Sequence, residues 1–298
     1  MKKWTTILIV AAMLLCLCAC GGETENNTEV SEMTKSTDTA ILVVSFGTSY
    51  NDSREVTIGA IENAIADAYP EYEVRRAFTS QIIIDKLKER DNLQIDNVEE
   101  ALTRAAADGI RNLIVQPTHL MHGFEYTDLK EMLEDYSDSF DQIVLGEPLL
   151  SSDEDFDVVI GAITDATKDY DDGETAIVFM GHGTEADSNV IYGQMQEKIT
   201  EKGFANYYIG TVEATPSLDD VMASMEGKDY KNVVLQPLMI VAGDHANNDM
   251  AGDEDDSWKS ILQSEGYEVT CILEGLGQNE TVQKLFVDHV AAAIAQLK

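Results

Sequence analysis

The residue with the clearest chemical potential is His182, because it stands between two glycines directly after a short apolar run. Residues 176–180 read Ala-Ile-Val-Phe-Met, which is typical of a strand buried on both faces. A histidine at this point lies at the carboxyl edge of a parallel sheet, where open α/β sheets bind their ligands. Gly181 and Gly183 permit a sharp turn and the close approach of a ligand. On this motif alone, a loop histidine that caps or packs is an equally good interpretation.

Two further potential metal ligands take comparable positions later in the chain. Glu213 ends the next predicted strand, and His245 follows the strand after that. The carboxyl ends of parallel strands share one edge of the sheet, so the three side chains are expected to converge. Two imidazoles and a carboxylate suit a divalent transition-metal ion, and three protein ligands leave coordination positions open for chemistry. His182, Glu213 and His245 are therefore candidates for a metal site. None of them lies at a local metal-binding spacing such as His-Glu-x-x-His, so the residues alone leave the three-ligand interpretation open.

The elements that must position these residues alternate between short apolar runs and amphipathic stretches. Strands are predicted over residues 41–45, 73–78, 112–116, 142–145, 176–180, 207–212, 232–236 and 268–272. Helical patterns between them include residues 52–68, 97–107, 153–168, 188–202 and 279–296. Alternation of this kind requires parallel sheets covered by helices.

The two halves of the chain also repeat each other. The shared motifs are Phe46-Gly47-Thr48 with His182-Gly183-Thr184, Gln116-Pro117 with Gln236-Pro237, and a glycine six residues after each proline (Gly123 and Gly243). We therefore predict an α/β fold of two duplicated domains, each a four-stranded parallel sheet flanked by helices. The first spans residues 40–170, and the second, which carries the metal site, spans residues 171–298. Duplicated units of this kind are expected to bind ligands in the cleft between them.

The charge balance excludes several classes of partner. Twenty Lys and Arg residues stand against 55 Asp and Glu residues, a net charge of −35. Such a chain is repelled by nucleic acid and by an anionic membrane surface. Metal cations remain compatible with it, so a divalent ion is the partner that the charge favours.

The first residues have the pattern of an export signal. Lys2 and Lys3 precede an apolar run over residues 4–19, as in a signal peptide. The run ends in Leu-Cys-Ala-Cys, which resembles the lipobox of bacterial lipoproteins, with Cys20 as the lipidated residue. Residues 20–39 are polar and without periodicity, which predicts a flexible tether. We expect an exported protein that meets the membrane only through a lipid anchor on the extracytoplasmic face; an uncleaved transmembrane anchor is the alternative.

Across nearly all of residues 40–298 the chain resembles the class II tetrapyrrole chelatases, specifically the anaerobic-type sirohydrochlorin cobalt chelatases of cobalamin biosynthesis. The resemblance is carried by five segments in order: Ser45 to Ser49, Gln116-Pro117 with Gly123 to Tyr126, Met180 to Thr184, Val212 to Pro216, and Gln236 to Met239 with Gly243 to His245. It implies a two-domain fold with an open cleft that inserts Co²⁺, a substrate here, into a carboxylated macrocycle. Fe²⁺ is a second candidate ion, and no organic cofactor is implied.

The resemblance also implies roles for individual residues. The family's metal ligands match His182, Glu213 and His245, and its proton-accepting histidine matches His182. Apart from the resemblance, Phe46, Thr48 and Tyr50 are candidates for binding the tetrapyrrole because they lie on the loop after the first strand. Glu125 is a further candidate, and the alternative is a charge in the first turn of a helix, favoured by the helix dipole. Among the few basic residues near the motifs, Arg75 and Arg76 are the candidates for meeting its carboxylates.

Several alternatives stay open at this point. The same fold at the cell surface could be a non-enzymatic protein that binds metal or haem. His119 and His122 follow the third strand, and either is a candidate for axial haem ligation. The sequence leaves a homo-oligomer open as well.

Overall fold

The computed structural model describes residues 35–298, so the predicted signal peptide, Cys20 and most of the tether lie outside the described residues. The first half contains strands β1 to β4: Thr39–Ser45, Glu73–Phe78, Asn112–Pro117 and Gln142–Leu145. The second half contains β5 to β8: Thr175–Gly181, Tyr207–Thr211, Asn232–Pro237 and Glu268–Cys271. No strand boundary differs from the sequence prediction by more than two residues.

Ten α-helices connect the strands of the described chain. Helices α1 to α5 are Asn51–Arg54, Ala60–Ala68, Gln81–Asp91, Val98–Ala107 and Phe124–Asp135. Helices α6 to α10 are Asp153–Thr167, Val190–Glu201, Leu218–Met225, Trp258–Ser264 and Glu280–Ile294. None of these described helices has the length and apolar character needed to cross a membrane.

The predicted helix over residues 52–68 is interrupted. A π-helical segment, Glu55–Gly59, separates α1 from α2. The Thr57 hydroxyl within it donates to the backbone oxygen of Ser53, one turn earlier. A side chain that bonds back in this way perturbs the regular ladder of the helix.

The two sheets have the same topology. Their strand orders are β2-β1-β3-β4 and β6-β5-β7-β8, and every pairing is parallel. Strand pairing also has the same register, with Val44 opposite Pro117 in the first sheet and Met180 opposite Pro237 in the second. The prediction of two duplicated four-stranded parallel sheets is confirmed.

Alternate residues of the central strands enter different cores, as the two-residue period of a strand requires. Ile41 and Val43 of β1 share one apolar core with Ile177 and Phe179 of β5. The opposite faces of β1 and β5 pack in separate clusters, which α4 and α5 complete in the first half and α8 and α9 in the second. The two sheets are therefore held to each other by a common core.

The final helix, α10, packs against the first half of the chain, on α2, β3 and β4, as well as on α6. Its buried residues Val282, Phe286 and Val290 belong to the common core. The hydroxyl of Tyr69, just after α2, donates to the backbone oxygen of Val287 at 3.0 Å. The helix thus ties the end of the described chain to the sheet at its beginning.

Candidate metal centre

His182 is held at the end of β5 by a turn that only glycines fit. A Cβ on Gly181 would lie 2.3 Å from Cε1 of Tyr192, and a Cβ on Gly183 would lie 2.8 Å from the backbone nitrogen of Ala214. Gly183 also has a φ of +85°, which side chains rarely adopt. Its N–H donates to the Tyr192 hydroxyl at 3.2 Å. Both glycines of the sequence motif are therefore explained by close packing around the histidine.

The structure brings the three predicted ligands together. Ligand atoms of His182, Glu213 and His245 all lie within 4.8 Å of one another. The N–H of Glu213 donates to the backbone oxygen of His182 at 2.9 Å, which fixes the two loops side by side. The rings of His182 and His245 meet edge to face, with centroids 4.6 Å apart. A single divalent ion can thus be bound by two imidazoles and one carboxylate, with positions left for a second ligand.

Hydrogen bonds select the nitrogen that each imidazole can offer to a ligand. The Nδ1 atom of His182 is 2.8 Å from the backbone oxygen of Gly183. Since a carbonyl oxygen can only accept, Nδ1 carries the proton in the neutral ring and the lone pair is on Nε2. The side chain of His182 is 48% exposed, so that nitrogen is available to a metal ion or to a proton.

Asp249 orients the second histidine, and sequence reasoning did not identify it. Its carboxylate accepts from Nδ1 of His245 at 2.8 Å, four residues away in the π-helical segment Ala246–Met250. This contact leaves Nε2 of His245 free to coordinate. Carboxylates commonly hold metal-binding histidines in this way. The spacing of four residues was a usable signal, because it places both side chains on one face of a helical turn.

A cavity of about 570 Å³ lies between the strand ends of the two halves and contains the three ligands in its wall. Three of the four predicted tetrapyrrole-binding residues, Phe46, Tyr50 and Glu125, line it with substantially accessible side chains. Thr48 also contributes to the wall but is 3% exposed, and its hydroxyl accepts from the Tyr50 N–H at 3.2 Å. Thr48 therefore supports the loop and offers little surface to a ligand.

Aromatic residues give this cavity an apolar face. Phe46 is 51% exposed and Phe124, which the sequence analysis did not single out, is 55% exposed. Large apolar side chains with this much exposure on a cavity wall are typical of a binding site for a flat apolar ligand. Phe124 is the first residue of helix α5. The motif Gly-Phe-Glu, which follows the third strand, is the feature of the sequence that could have identified it.

The histidines that follow β3 have contrasting environments. His119 lines the cavity but is buried, and within the described residues neither of its ring nitrogens has a hydrogen-bond partner. Burial lowers the pKa of His119 to about 4, so the ring is neutral near pH 7. His122 is exposed, and its Nε2 lies 2.7 Å from the Glu147 carboxylate. No contact in the described residues assigns either ring to haem ligation.

The structure does not support the expectation that Arg75 and Arg76 meet the carboxylates of the tetrapyrrole. Arg75 forms ion pairs with Glu73 and Asp108, both at distances below 3 Å. Arg76 is paired through two nitrogens with Glu62 of α2. Neither arginine belongs to the wall of the cavity. Their charges are satisfied within the first half. Glu73 is only two residues from Arg75, but Asp108 and Glu62 are distant in sequence from the arginines that they pair with.

Comparison with known proteins adds to this geometry. A family described as cobalt chelatase (CbiK) matches residues 39–295. The sirohydrochlorin cobaltochelatase of Salmonella typhimurium is 38% identical over 255 residues, covering 86% of this chain and 96% of the relative. The sirohydrochlorin cobaltochelatase CbiKC of Nitratidesulfovibrio vulgaris is 30% identical over 263 residues, covering 88% of this chain and 92% of the relative. Among solved structures, SirB from Bacillus subtilis with Fe³⁺ has a TM-score of 0.60 at 15% identity, covering 87% of this chain and 96% of the other, a likeness of fold.

Proposed function

The chain belongs to the cobalt chelatase (CbiK) family, and from that premise we propose that it inserts Co²⁺ into a sirohydrochlorin-type tetrapyrrole bound in the cavity between its two halves. The relatives named as sirohydrochlorin cobaltochelatases align with most of this chain and with more than nine-tenths of their own lengths. The observation that carries the proposal is the convergence of His182, Glu213 and His245 in the wall of one cavity.

The reaction exchanges one metal ion for two protons. The four ring nitrogens bind Co²⁺ as it leaves its water and protein ligands, and the two pyrrole N–H groups each lose a proton. Nε2 of His182 is the group proposed to take up one of these protons once the ion has left it, because Nε2 has the only free lone pair of the ring while Nδ1 bonds to Gly183. An imidazole suits this task because its ordinary pKa lies near neutral pH. The second proton passes to solvent water.

Glu213 and His245 are proposed to share the ion with His182 before transfer. An incomplete ligand set is suited to this purpose, since a closed set of four protein ligands would retain the metal. The exposed side chains of Glu213 and His182, 54% and 48%, leave the ion accessible from the cavity. Affinity alone does not favour Co²⁺, because nitrogen and oxygen ligands bind Ni²⁺ and Cu²⁺ more tightly. Fe²⁺ therefore belongs in the same test as Co²⁺.

The test is insertion by the purified protein. Metal-free sirohydrochlorin is mixed with enzyme, Co²⁺ or Fe²⁺ is added, and the absorbance spectrum of the macrocycle is followed. Catalysis gives multiple turnovers with a rate proportional to enzyme. A non-enzymatic metal or haem protein would give only stoichiometric binding, and that result would reject the proposal.

We also propose that the protein is exported and anchored through a lipid on Cys20. Support comes from Lys2, Lys3 and the Leu-Cys-Ala-Cys sequence that ends the apolar run. Cys20→Ala should leave the chain unprocessed and without lipid, as measured by mass spectrometry of the membrane fraction. A mature N-terminus at any residue other than Cys20 in the unaltered protein would contradict the proposal.

A further inference from the structure

The proposed substrate presents an electrostatic difficulty. A sirohydrochlorin-type macrocycle carries many carboxylates, whereas the chain has a net charge of −35. Overall repulsion slows the encounter of like-charged partners. Arg75 and Arg76 do not relieve it, since neither lines the metal-site cavity or the cavity next to it. A cationic surface next to the cavity would have to come from other residues.

A second cavity supplies such a surface. It has a volume of about 790 Å³ and shares the wall residues Ser49 and Tyr50 with the metal-site cavity. Lys86 and Arg90 of helix α3 both line it, and a spacing of four residues places them on one face of the helix. The two cavities are therefore neighbours, and the second one has two cations in its wall.

A third cation lies beside these two. Arg90 donates to the backbone oxygen of Ser49 at 2.7 Å and to Oδ1 of Asn51 at 2.8 Å. Arg54 donates to the same oxygen of Asn51, also at 2.8 Å. One amide oxygen thus holds two guanidinium groups close together. The backbone contact and the shared amide keep both side chains in place before any ligand arrives.

The charges of this group are only partly balanced by the protein. Asp91 forms an ion pair with Arg90. Within the described residues, neither Arg54 nor Lys86 forms an ion pair. The wall also contains Asp52 and Glu274, whereas Arg54 lies beside the wall and is joined to Arg90 through Asn51.

We propose that Arg54, Lys86 and Arg90 form a carboxylate-binding subsite, which holds peripheral carboxylates of the macrocycle while its ring lies in the metal-site cavity. The inference rests on the proposed function, because it takes a carboxylated tetrapyrrole as the ligand. Guanidinium groups bind carboxylates through paired N–H donors, and the lysine adds a mobile charge. The shared wall at Ser49 and Tyr50 lets a single ligand reach both cavities.

The test compares two substitutions that remove the same charge from the same helix. Lys86→Gln removes a cation from the cavity wall, whereas Lys88→Gln removes an exposed one that lines neither cavity. Binding of metal-free sirohydrochlorin is measured by absorbance titration, and insertion kinetics are measured separately. We expect Lys86→Gln to raise Kd and KM for the macrocycle about fivefold. The KM for Co²⁺ and kcat should stay unchanged, and Lys88→Gln should behave like the unaltered protein.

A second variant and a second ligand sharpen the test. Arg54→Gln should weaken macrocycle binding to a similar extent, with thermal unfolding used to check that the fold is kept. A macrocycle whose carboxylates are capped as methyl esters should bind the unaltered protein and Lys86→Gln equally. The subsite would be overturned if Lys86→Gln and Lys88→Gln had equal effects on macrocycle binding. It would also be overturned if Lys86→Gln weakened the binding of the capped macrocycle as much as it weakens the binding of sirohydrochlorin. Absence of turnover in the unaltered protein would instead reject the proposed function, because the binding measurement needs no metal.

Discussion

Sheets of the same order and register end in different residues in the two halves of the molecule. Phe46 follows β1 at the position where His182 follows β5, as the registers of the central strands require. Ser80 follows β2 where Glu213 follows β6. Glu125 lies eight residues after Pro117, as His245 lies eight residues after Pro237. Only the second half therefore has the residue types for a metal site at all three strand ends.

The shared topology places residues at equivalent strand ends in the two halves, but the types of those residues decide whether a metal ion can bind. The first half even contains a histidine at a strand end, His119, but it is buried and unpartnered among the described residues. His182 and His245 are accessible and lie next to a carboxylate. A metal site here requires exposure and convergence as well as the right residue type. The first half is left to provide the apolar face and the cationic subsite.

The largest effect should come from His182→Ala. This change removes a metal ligand and the proposed proton acceptor, and loss of a general base alone lowers rates by about 10²–10⁴-fold. Insertion kinetics with sirohydrochlorin and Co²⁺ measure it. Phe46→Ala is the matched change in the first half and should leave kcat close to normal. Near-normal turnover of His182→Ala would remove the proposed distinction between the halves.

Glu213→Ala and His245→Ala should mainly weaken the binding of the ion, each by more than the roughly 10–100-fold that loss of a residue orienting a ligand costs. A large excess of Co²⁺ should then restore part of the rate in both variants. The same excess of Co²⁺ should not restore the rate of His182→Ala. Added imidazole should restore part of it, because a small imidazole can replace a missing base. A rescue by Co²⁺ that is equal in all three variants would contradict the special role of His182.

His119 should make the first half sensitive to acid. Its pKa in the folded protein, about 4, lies below the ordinary 6.5. The neutral ring therefore favours folding fully above pH 6.5, and this contribution is lost as the pH falls through 4. A difference of this size corresponds to at most about 3 kcal/mol of unfolding free energy.

Denaturant unfolding at pH 7.5 and at pH 4.5 measures this contribution. His119→Gln should lose less stability between the two values than the unaltered protein does. His122→Gln, which changes an exposed ring, is the control and should behave like the unaltered protein. If His119→Gln shows the same loss as the control, the buried ring does not have the assigned environment.

Asp249→Asn should have a smaller effect on the second half. It keeps the shape of the side chain but removes the carboxylate that accepts from His245. Substitutions of such partners lower metal affinity about 10–100-fold, and we expect the lower end because the site is partly exposed. Titration with Co²⁺ in the absence of tetrapyrrole measures the change. An unchanged affinity would show that His245 is oriented without this contact.

The smallest effect is expected for Phe46→Ala. Loss of an aromatic contact with a flat macrocycle costs about 1 kcal/mol, which should raise the KM for sirohydrochlorin about fivefold. The affinity for Co²⁺ should not change, since Phe46 is not a ligand. A loss of metal affinity in this variant would mean that the first half takes part in binding the ion.

The sequence was sufficient for features that depend on local pattern. Strand bounds followed from apolar runs, and convergence of His182, Glu213 and His245 followed from the shared edge of a parallel sheet. Features that depend on side chains from distant segments were not accessible. The pairing of Arg76 with Glu62 and the sharing of Asn51 by Arg54 and Arg90 both require knowledge of how helices pack. Propensity and periodicity contain no information of that kind.

The position of α10 has a consequence for biosynthesis. Ile41 and Val43 are made early, but α10, which helps to cover their side of the first sheet, is translated only after β8. Domains usually fold as soon as they leave the ribosome. Here the nascent first half must wait, with apolar surface uncovered, until the rest of the chain has emerged.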